Sequence, residues 1–276
     1  MGDIAALEAI LAKQFGLSAV IGAELECYVD VASDEMDGFW KPIHDWMQLE
    51  GIAFKRIEKE RGDTQFEIVF EPGSAASVVK HLRAVRARIS NAANDSGLSA
   101  FFDGKPKPDQ PSSGLHLHIH MQNEEGHDVF FKTQDETSEA LEGSIAGLLG
   151  TIPLAMRIWC PEEADLNRFL DEDHVPRTLS WGMNNRYAAL RIPATINPFK
   201  VLEHRMCSPN ANPEGAIAAM LAGVITGLEH ELPLPEQEFG KPAHRHPSEW
   251  VSFLVPAAQE RFLGLLGKTR DELRHG

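Results

Sequence analysis

The sequence predicts an α+β protein, an antiparallel sheet backed by helices, forming a single domain over residues 1–276. Three observations carry this. Short segments of alternating polarity fall in neighbouring pairs, as hairpins do. Long runs rich in Ala, Gly and Leu read as buried helices. Strands and helices do not alternate in the regular manner of parallel βαβ units. The chain has 276 residues, 43% apolar and 24% charged, which is enough to build a core and too apolar for disorder.

In order, an amphipathic helix spans 3–15 and a largely apolar strand follows at 18–31. A helix at 36–50 leads to strands at 52–60 and 65–71, placed around the turn residues Arg61-Gly62-Asp63-Thr64. A helix at 74–96 mixes small, apolar and basic residues. A strand at 98–103, a Pro/Lys/Ser loop at 104–113, a histidine-bearing strand from 115 and a further strand at 127–132 come next. The Ala/Gly/Leu-rich stretch 135–158 reads as a buried helix, and 161–177 as an acidic loop. Strands at 179–182 and 186–192 precede a short strand at 203–206 and a helix at 211–229. Residues 231–247 form a Pro- and His-rich loop, and 248–274 a helical tail.

Composition excludes several functions. With 26 basic against 41 acidic residues, the net charge of −15 opposes binding to nucleic acid or anionic membrane. No apolar run reaches the roughly 18 residues of a membrane span. The first residues carry acids where a signal peptide has a basic region, so a cytoplasmic protein is expected. Cys27, Cys160 and Cys207 are widely spaced without a CxxC pair, so neither a disulfide framework nor a cysteine zinc site is expected.

The chemistry lies in acids and imidazoles set inside strands. "PSSGLHLHIHM" puts His116, His118 and His120 on one face, with Leu115, Leu117, Ile119 and Met121 on the other. "AVIGAELECYVD" does the same with Glu24 and Glu26. In "EKERGDTQFEIVFEP", a turn at Asp63-Thr64 places Glu60 opposite Glu67, leaving Glu58 and Glu71 to solvent. "KVLEHRMCSP" alternates Glu203 with Arg205. Each stretch alone fits an exposed face equally well. Together, five carboxylates and an imidazole suit two divalent cations with oxygen-rich shells, Mg2+ or Mn2+ rather than zinc. Such a pair can clamp a phosphoryl group, with Arg186, Arg191 and Arg205 neutralising its oxygens. There is no GxxxxGK[ST] loop.

The order of motifs resembles the catalytic domain of glutamine synthetase: "GAELECYV", "ERGDTQFEI", "SSGLHLHIHM", "WGMNNRYAALRIP", then "VLEHRMCSPNANPEGA", over about 18–230. The resemblance implies a half-barrel of antiparallel strands. It implies one metal site of Glu26, Glu60 and Glu67 and another of Glu24, His116 and Glu203. His118, Arg186 and Arg191 would contact ATP phosphates and the transferring group. Arg168 and Arg205 would lie near the substrate carboxylate and the phosphoryl group. His120 would be structural. The implied reaction is a two-step ligation, in which ATP phosphorylates a carboxylate and an amine displaces phosphate.

The departures from that family bear on the acceptor. Its amino-terminal β-grasp domain has no counterpart ahead of the ExE strand. The Asn-Gly that positions glutamate reads Pro111-Ser112, making Ser112 the candidate contact. The flap reads "LDEDHVP", with His174 nearest the place of the glutamate base and Asp173 beside it. These features imply a Mg2+- or Mn2+-dependent ligase joining a carboxylate such as glutamate to an amine other than ammonia. A ligase for another carboxylate and a non-catalytic binding or structural relative remain open readings. A shared active site would require a homo-oligomer. His244 and His246 read as a polar turn.

Overall fold

The computed structural model describes residues 2–131, 136–171, 173–194 and 201–275. Its centre is an eight-stranded sheet: β1 (Leu17–Val29), β2 (Phe54–Lys59), β3 (Gln65–Phe70), β4 (Ala100–Phe101), β5 (Leu115–Asn123), β6 (Thr178–Met183), β7 (Ala188–Ile192) and β8 (Leu202–Cys207). The spatial order is β2-β3-β1-β5-β8-β7-β6, with β4 also on β1. All pairs but one are antiparallel.

Strand alternation decides which face is which. In β5, Leu115, Leu117, Ile119 and Met121 are fully buried on the helix side, as are Ile21, Leu25 and Cys27 of β1. Burying each such leucine contributes on the order of 1.5–3 kcal/mol. The acids and histidines at intervening positions therefore turn to the other face. Helix α3 (Ala75–Asp95), capped by Ser74 Oγ accepting from Ser77 N–H, covers the sheet with Val78, Leu82, Val85 and Ile89. These positions recur at helical spacing.

Behind the sheet, α4 (Glu139–Thr151) and α6 (Pro213–Glu229) are buried along most of their length. They approach through glycines: a Cβ on Gly227 would lie 1.9 Å from the Gly143 carbonyl oxygen, and one on Gly147 2.2 Å from that of Gly223. The remaining helices are α1 (Ile4–Ile10), continued by a π turn at Leu11–Phe15, α2 (Met36–Leu49), α5 (Met156–Trp159), α7 (Pro256–Leu266) and α8 (Arg270–His275). Among the described residues no helix is long and apolar enough to cross a membrane.

Several expectations are corrected. Strand β6 runs parallel to β7, because the 184–187 link doubles back. Asn184 adopts φ +50° there, and Asn185 Oδ1 accepts from Tyr187 N–H at 3.0 Å. In place of a strand at 127–132 there are isolated bridges, Gln122↔Asp128 and Phe131↔Thr137; residue 132 lies outside the described residues. Asn123 Oδ1 accepts from both Glu125 and His127 N–H groups, closing a turn that ends the pairing. The 135–158 helix starts only at Glu139, where Ser138 caps it, and breaks after Thr151 at Pro153; residue 135 is not among those described. The acidic 161–177 loop contains a 3-10 helix, Glu163–Leu170, closed by the reciprocal capping of Glu162 and Asp165. The tail is not continuously helical: 250–255 has no regular secondary structure before α7.

Candidate active site

Sheet register brings the acids together. On β1, Glu24 pairs with His116 of β5 and Glu26 with Glu67 of β3. His118 of β5 pairs with Glu203 of β8, which also faces Arg191 of β7. The hairpin register differs from the sequence expectation. Glu58, not Glu60, lies opposite Glu67, while Glu60 N–H donates to the Gln65 carbonyl. The turn is a four-residue loop, 61–64, centred one residue earlier than expected, and Gly62 N–H closes it on Gln65 Oε1 at 3.1 Å. All four side chains still share a face, so Glu58 joins the site and is not simply solvated. Arg56 Nε donates to it at 2.7 Å.

These residues line one cavity of ≈ 170 Å³. Its walls hold Glu24, Glu26, Glu60, Glu67, His116 and Glu203, together with Ser112, Arg168, His174, Arg186, Arg191 and Arg205. His118 does not reach it. It lines an adjoining cavity of ≈ 340 Å³ with Gly22, Glu24, His120 and Arg191. The His116 ring sits among three carboxylates, its Nδ1 3.5 Å from Glu24, 3.7 Å from Glu203 and 3.9 Å from Glu26. His118 Nε2 lies 3.8 Å from Glu24 Oε1 and is buried without a hydrogen bond. His120 is buried, with Gln122 Nε2 3.2 Å from its Nε2.

Among the described residues, three groups offer ligand atoms within 4.8 Å of one another: Glu24–His118–Glu203, Glu24–Glu67–His116 and Glu58–Glu60–Glu67. The donors are mostly carboxylate oxygens, the chemistry of a hard divalent cation. Neither triad implied by the resemblance recurs among these sets: Glu203 groups with His118 in place of His116, and Glu26 falls outside them all. Its carboxylate accepts from Gly114 N–H at 2.9 Å and Gln65 Nε2 at 3.3 Å.

Electrostatics shows the crowding. Burial, with Glu24, Glu26 and Glu60 close by, pushes the Glu67 carboxyl up to about 9. Burial and Glu60 push Glu26 to about 7. Burial and the Arg205 charge hold His116 down at about 4, so its imidazole is neutral and able to ligate. Burial opposes charge on Glu24 too, but contact with His116 and the field of His118 outweigh it and hold the carboxyl at about 2. Glu203 is also buried, and Arg205, His116, His118 and Arg191 together drive it well below the usual carboxylate range. Arg191 Nη1 donates to it at 2.8 Å, and Arg205 Nη1 donates to its other oxygen.

Arg168 lines the cavity while spending two of its nitrogens on backbone. Its Nε donates to the Ser113 carbonyl at 3.0 Å and its Nη1 to those of Arg205 and Met206 at 3.0 and 3.4 Å. The guanidinium thus clamps β8 to the 104–113 loop. Ser112 N–H donates to Asp171 Oδ2 at 2.6 Å, and Lys105 is ion-paired to the other Asp171 oxygen. This links the loop to the segment carrying His174, which adopts φ +62° and whose carbonyl accepts from Arg205 Nη2 at 2.8 Å. Cutting that link by Asp171→Asn is expected to cost about 1–2 kcal/mol in urea denaturation.

Sequence reasoning missed Arg61, Asp171 and Glu58. Glu58 alternates with Glu60 and was visible as a pair; the other two depend on loop placement.

A half-barrel sheet whose concave face gathers acids, imidazoles and arginines defines a glutamine synthetase-like protein. A family model for the glutamine synthetase catalytic domain matches residues 22–268. The chain belongs to that family. It is 29% identical over 259 residues to gamma-glutamylputrescine synthetase PuuA of Escherichia coli K12, covering 83% of this chain and 55% of the relative. It is 28% identical over 238 residues to a glutamine synthetase of Pyrococcus abyssi, covering 79% and 54%. The chain thus spans about half the length of these relatives. The fold matches the solved structure "Apo GmaS without ligand" at TM-score 0.80 and 20% identity, over 98% of this chain and 70% of that one. The "GmaS/ADP complex" matches at TM-score 0.81, with the same identity and coverage.

Proposed function

We propose that the 276 residues form one catalytic domain that joins a carboxylate, glutamate in the first instance, to an amine other than ammonia, using ATP and Mg2+ or Mn2+. The observation that carries this reading is the convergence of Glu24, Glu26, Glu60, Glu67, His116 and Glu203 on one cavity that also holds Arg186, Arg191 and Arg205. When bound, the divalent cations would neutralise phosphate oxygens and hold them in line for transfer. Glu24, His116 and Glu203 would hold one, and Glu60, Glu67 and Glu26 the other.

In this reading the phosphates enter beside His118, whose unpartnered Nε2 offers a hydrogen-bond partner to an oxygen. Arg191 spans both cavities, and its Nε is buried without a partner. Arg186 and Arg205 face the transferring group. The substrate carboxylate oxygen attacks the terminal phosphorus and ADP leaves. The amine nitrogen then attacks the acyl carbon, the C–N bond forms and phosphate departs with the acyl oxygen. His174 takes the amine proton; burial and the charges of Arg61 and Arg186 hold its pKa below the ordinary value, leaving the ring free to accept. The resemblance of the chain to a gamma-glutamylputrescine synthetase supports an organic amine.

Incubation with ATP, Mg2+, glutamate and a panel of amines, with phosphate measured, tests the reading. Phosphate release dependent on an organic amine is expected, with ammonia a poor substitute. Release with no member of the panel would refute it as a glutamyl ligase.

A further inference from the structure

The arginines of the cavity are mostly spoken for. Arg56 contacts Glu58 and Glu67, Arg191 holds Glu203 and Asn184, Arg205 holds Glu203 and the His174 carbonyl, and Arg168 holds three carbonyls. Arg61 and Arg186 remain, and neither is ion-paired among the described residues. Arg186 has a place in phosphate binding under the proposed reaction; Arg61 has none.

Arg61 is presented by a braced turn. A Cβ on the next residue, Gly62, would lie 2.2 Å from Tyr28 Oη, so only glycine lets the turn close on that ring. Tyr28 Oη in turn donates to the Pro111 carbonyl at 2.7 Å, and Asp63 N–H donates to Gln110 Oε1 at 3.0 Å. Arg61, though exposed, lines the cavity from a fixed base, which lowers the ordering cost of a contact.

The surroundings select the ligand chemistry. Val175 is the one apolar residue lining the cavity among those described, so a hydrocarbon chain finds no wall. A second ammonium would find the described acid beside His174 already engaged. Asp173 is engaged by Lys241 Nζ at 3.0 Å and Tyr187 Oη at 3.2 Å. A carboxylate would meet a guanidinium with an open fork of donors. Arg168, which the family resemblance assigns to substrate carboxylate, has its Nε and Nη1 donors turned to backbone.

We propose that Arg61 is a specificity residue that receives a non-reacting carboxylate of a substrate at this cavity, selecting an amino-acid-like molecule over its decarboxylated analogue. The inference rests on the ligase reading only for which substrate brings the group. That carboxylate belongs either to the acyl donor, as glutamate's second carboxylate, or to an amino acid serving as the amine.

Calorimetric titration of the wild-type protein, R61Q and R61K, with Mg2+ and ADP present, decides the matter. Two matched pairs are used: glutamate against 4-aminobutyrate, and glycine against methylamine. The wild type is expected to prefer the carboxylate-bearing member of one pair by about tenfold or more, the worth of a charge-assisted pair. R61Q should lose that preference and R61K recover part of it, since lysine keeps charge without the fork. The pair that responds identifies the source. No preference in the wild type, or a preference undiminished in R61Q whose Mg-ADP affinity and melting temperature match the wild type, overturns the proposal. Amine-dependent phosphate release measured alongside judges the ligase reading separately, because the binding preference is read without turnover.

Discussion

Under the proposed ligase reading, replacing Glu67 with glutamine is expected to lower the rate of phosphate release by about a thousandfold or more, by removing a proposed ligand from a site that would stabilise transferring charge. Mg2+ affinity should fall with it. The same substitution should stabilise the metal-free protein, and the two effects together separate a ligand from a mere core residue. The sign follows from the carboxyl's position at about 9 in the fold, against an ordinary 4.5. Below pH 4.5 both folded and unfolded chains hold the proton. Between those values the unfolded chain sheds a proton that the folded chain keeps, so stability falls as pH rises. Glutamine has nothing to titrate and escapes this loss. Melting temperatures from pH 5 to 9 should therefore show Glu67→Gln gaining on the wild type with rising pH. Mg2+ should raise the wild-type melting temperature most at the alkaline end and leave the variant nearly unmoved. An equal Mg2+ response in both proteins would remove Glu67 from the ligand set.

The second large effect concerns the helices behind the sheet. Gly227→Ala is expected to destabilise the fold by about 3 kcal/mol, the upper part of the range for overpacking. Its Cβ would collide with backbone: the Gly143 oxygen at 1.9 Å and Gly147 Cα at 2.9 Å. Neither is a side-chain tip that can swing away. The axes of α4 and α6 would have to separate, opening contacts along both. Gly264→Ala in α7 is the control, because a Cβ there meets nothing within 4 Å. It should be neutral or stabilise by about 0.5–1 kcal/mol through helix propensity. Urea denaturation of both variants reads the difference; a small loss in Gly227→Ala would mean that the helices can slide apart at little cost.

Much of the sheet and its chemistry was legible because period-two alternation is a local signal. Glu24 and Glu26, the β5 histidines, and Glu203 with Arg205 all declare their face from their neighbours. What alternation does not carry is register. Glu60 was expected opposite Glu67, and Glu58 stands there because the turn closes on the Gln65 side chain, whose Nε2 is itself held by Ser112 and Ser113, remote in the chain. Arg168 reads as a free cation in sequence, yet carbonyls from β8 and the 113 position absorb it. Arg61 lies in a turn whose placement depends on Tyr28 and Gln110, remote in the chain. The parallel β6–β7 pair was hidden for the same reason, since a four-residue link ordinarily joins antiparallel neighbours.

The central strands β3, β1, β5 and β8 are neighbours in space but come from segments that begin at residues 65, 17, 115 and 202. Hence the proposed cation site is among the last things the growing polypeptide can assemble. Until Glu203 is synthesised and threaded beside β5, His116 lacks one of its flanking acids, and loops of many residues must be closed before any donor set is complete. Tight Mg2+ uptake should therefore emerge late during refolding, after helical signal has recovered, making the ion a reporter of finished topology.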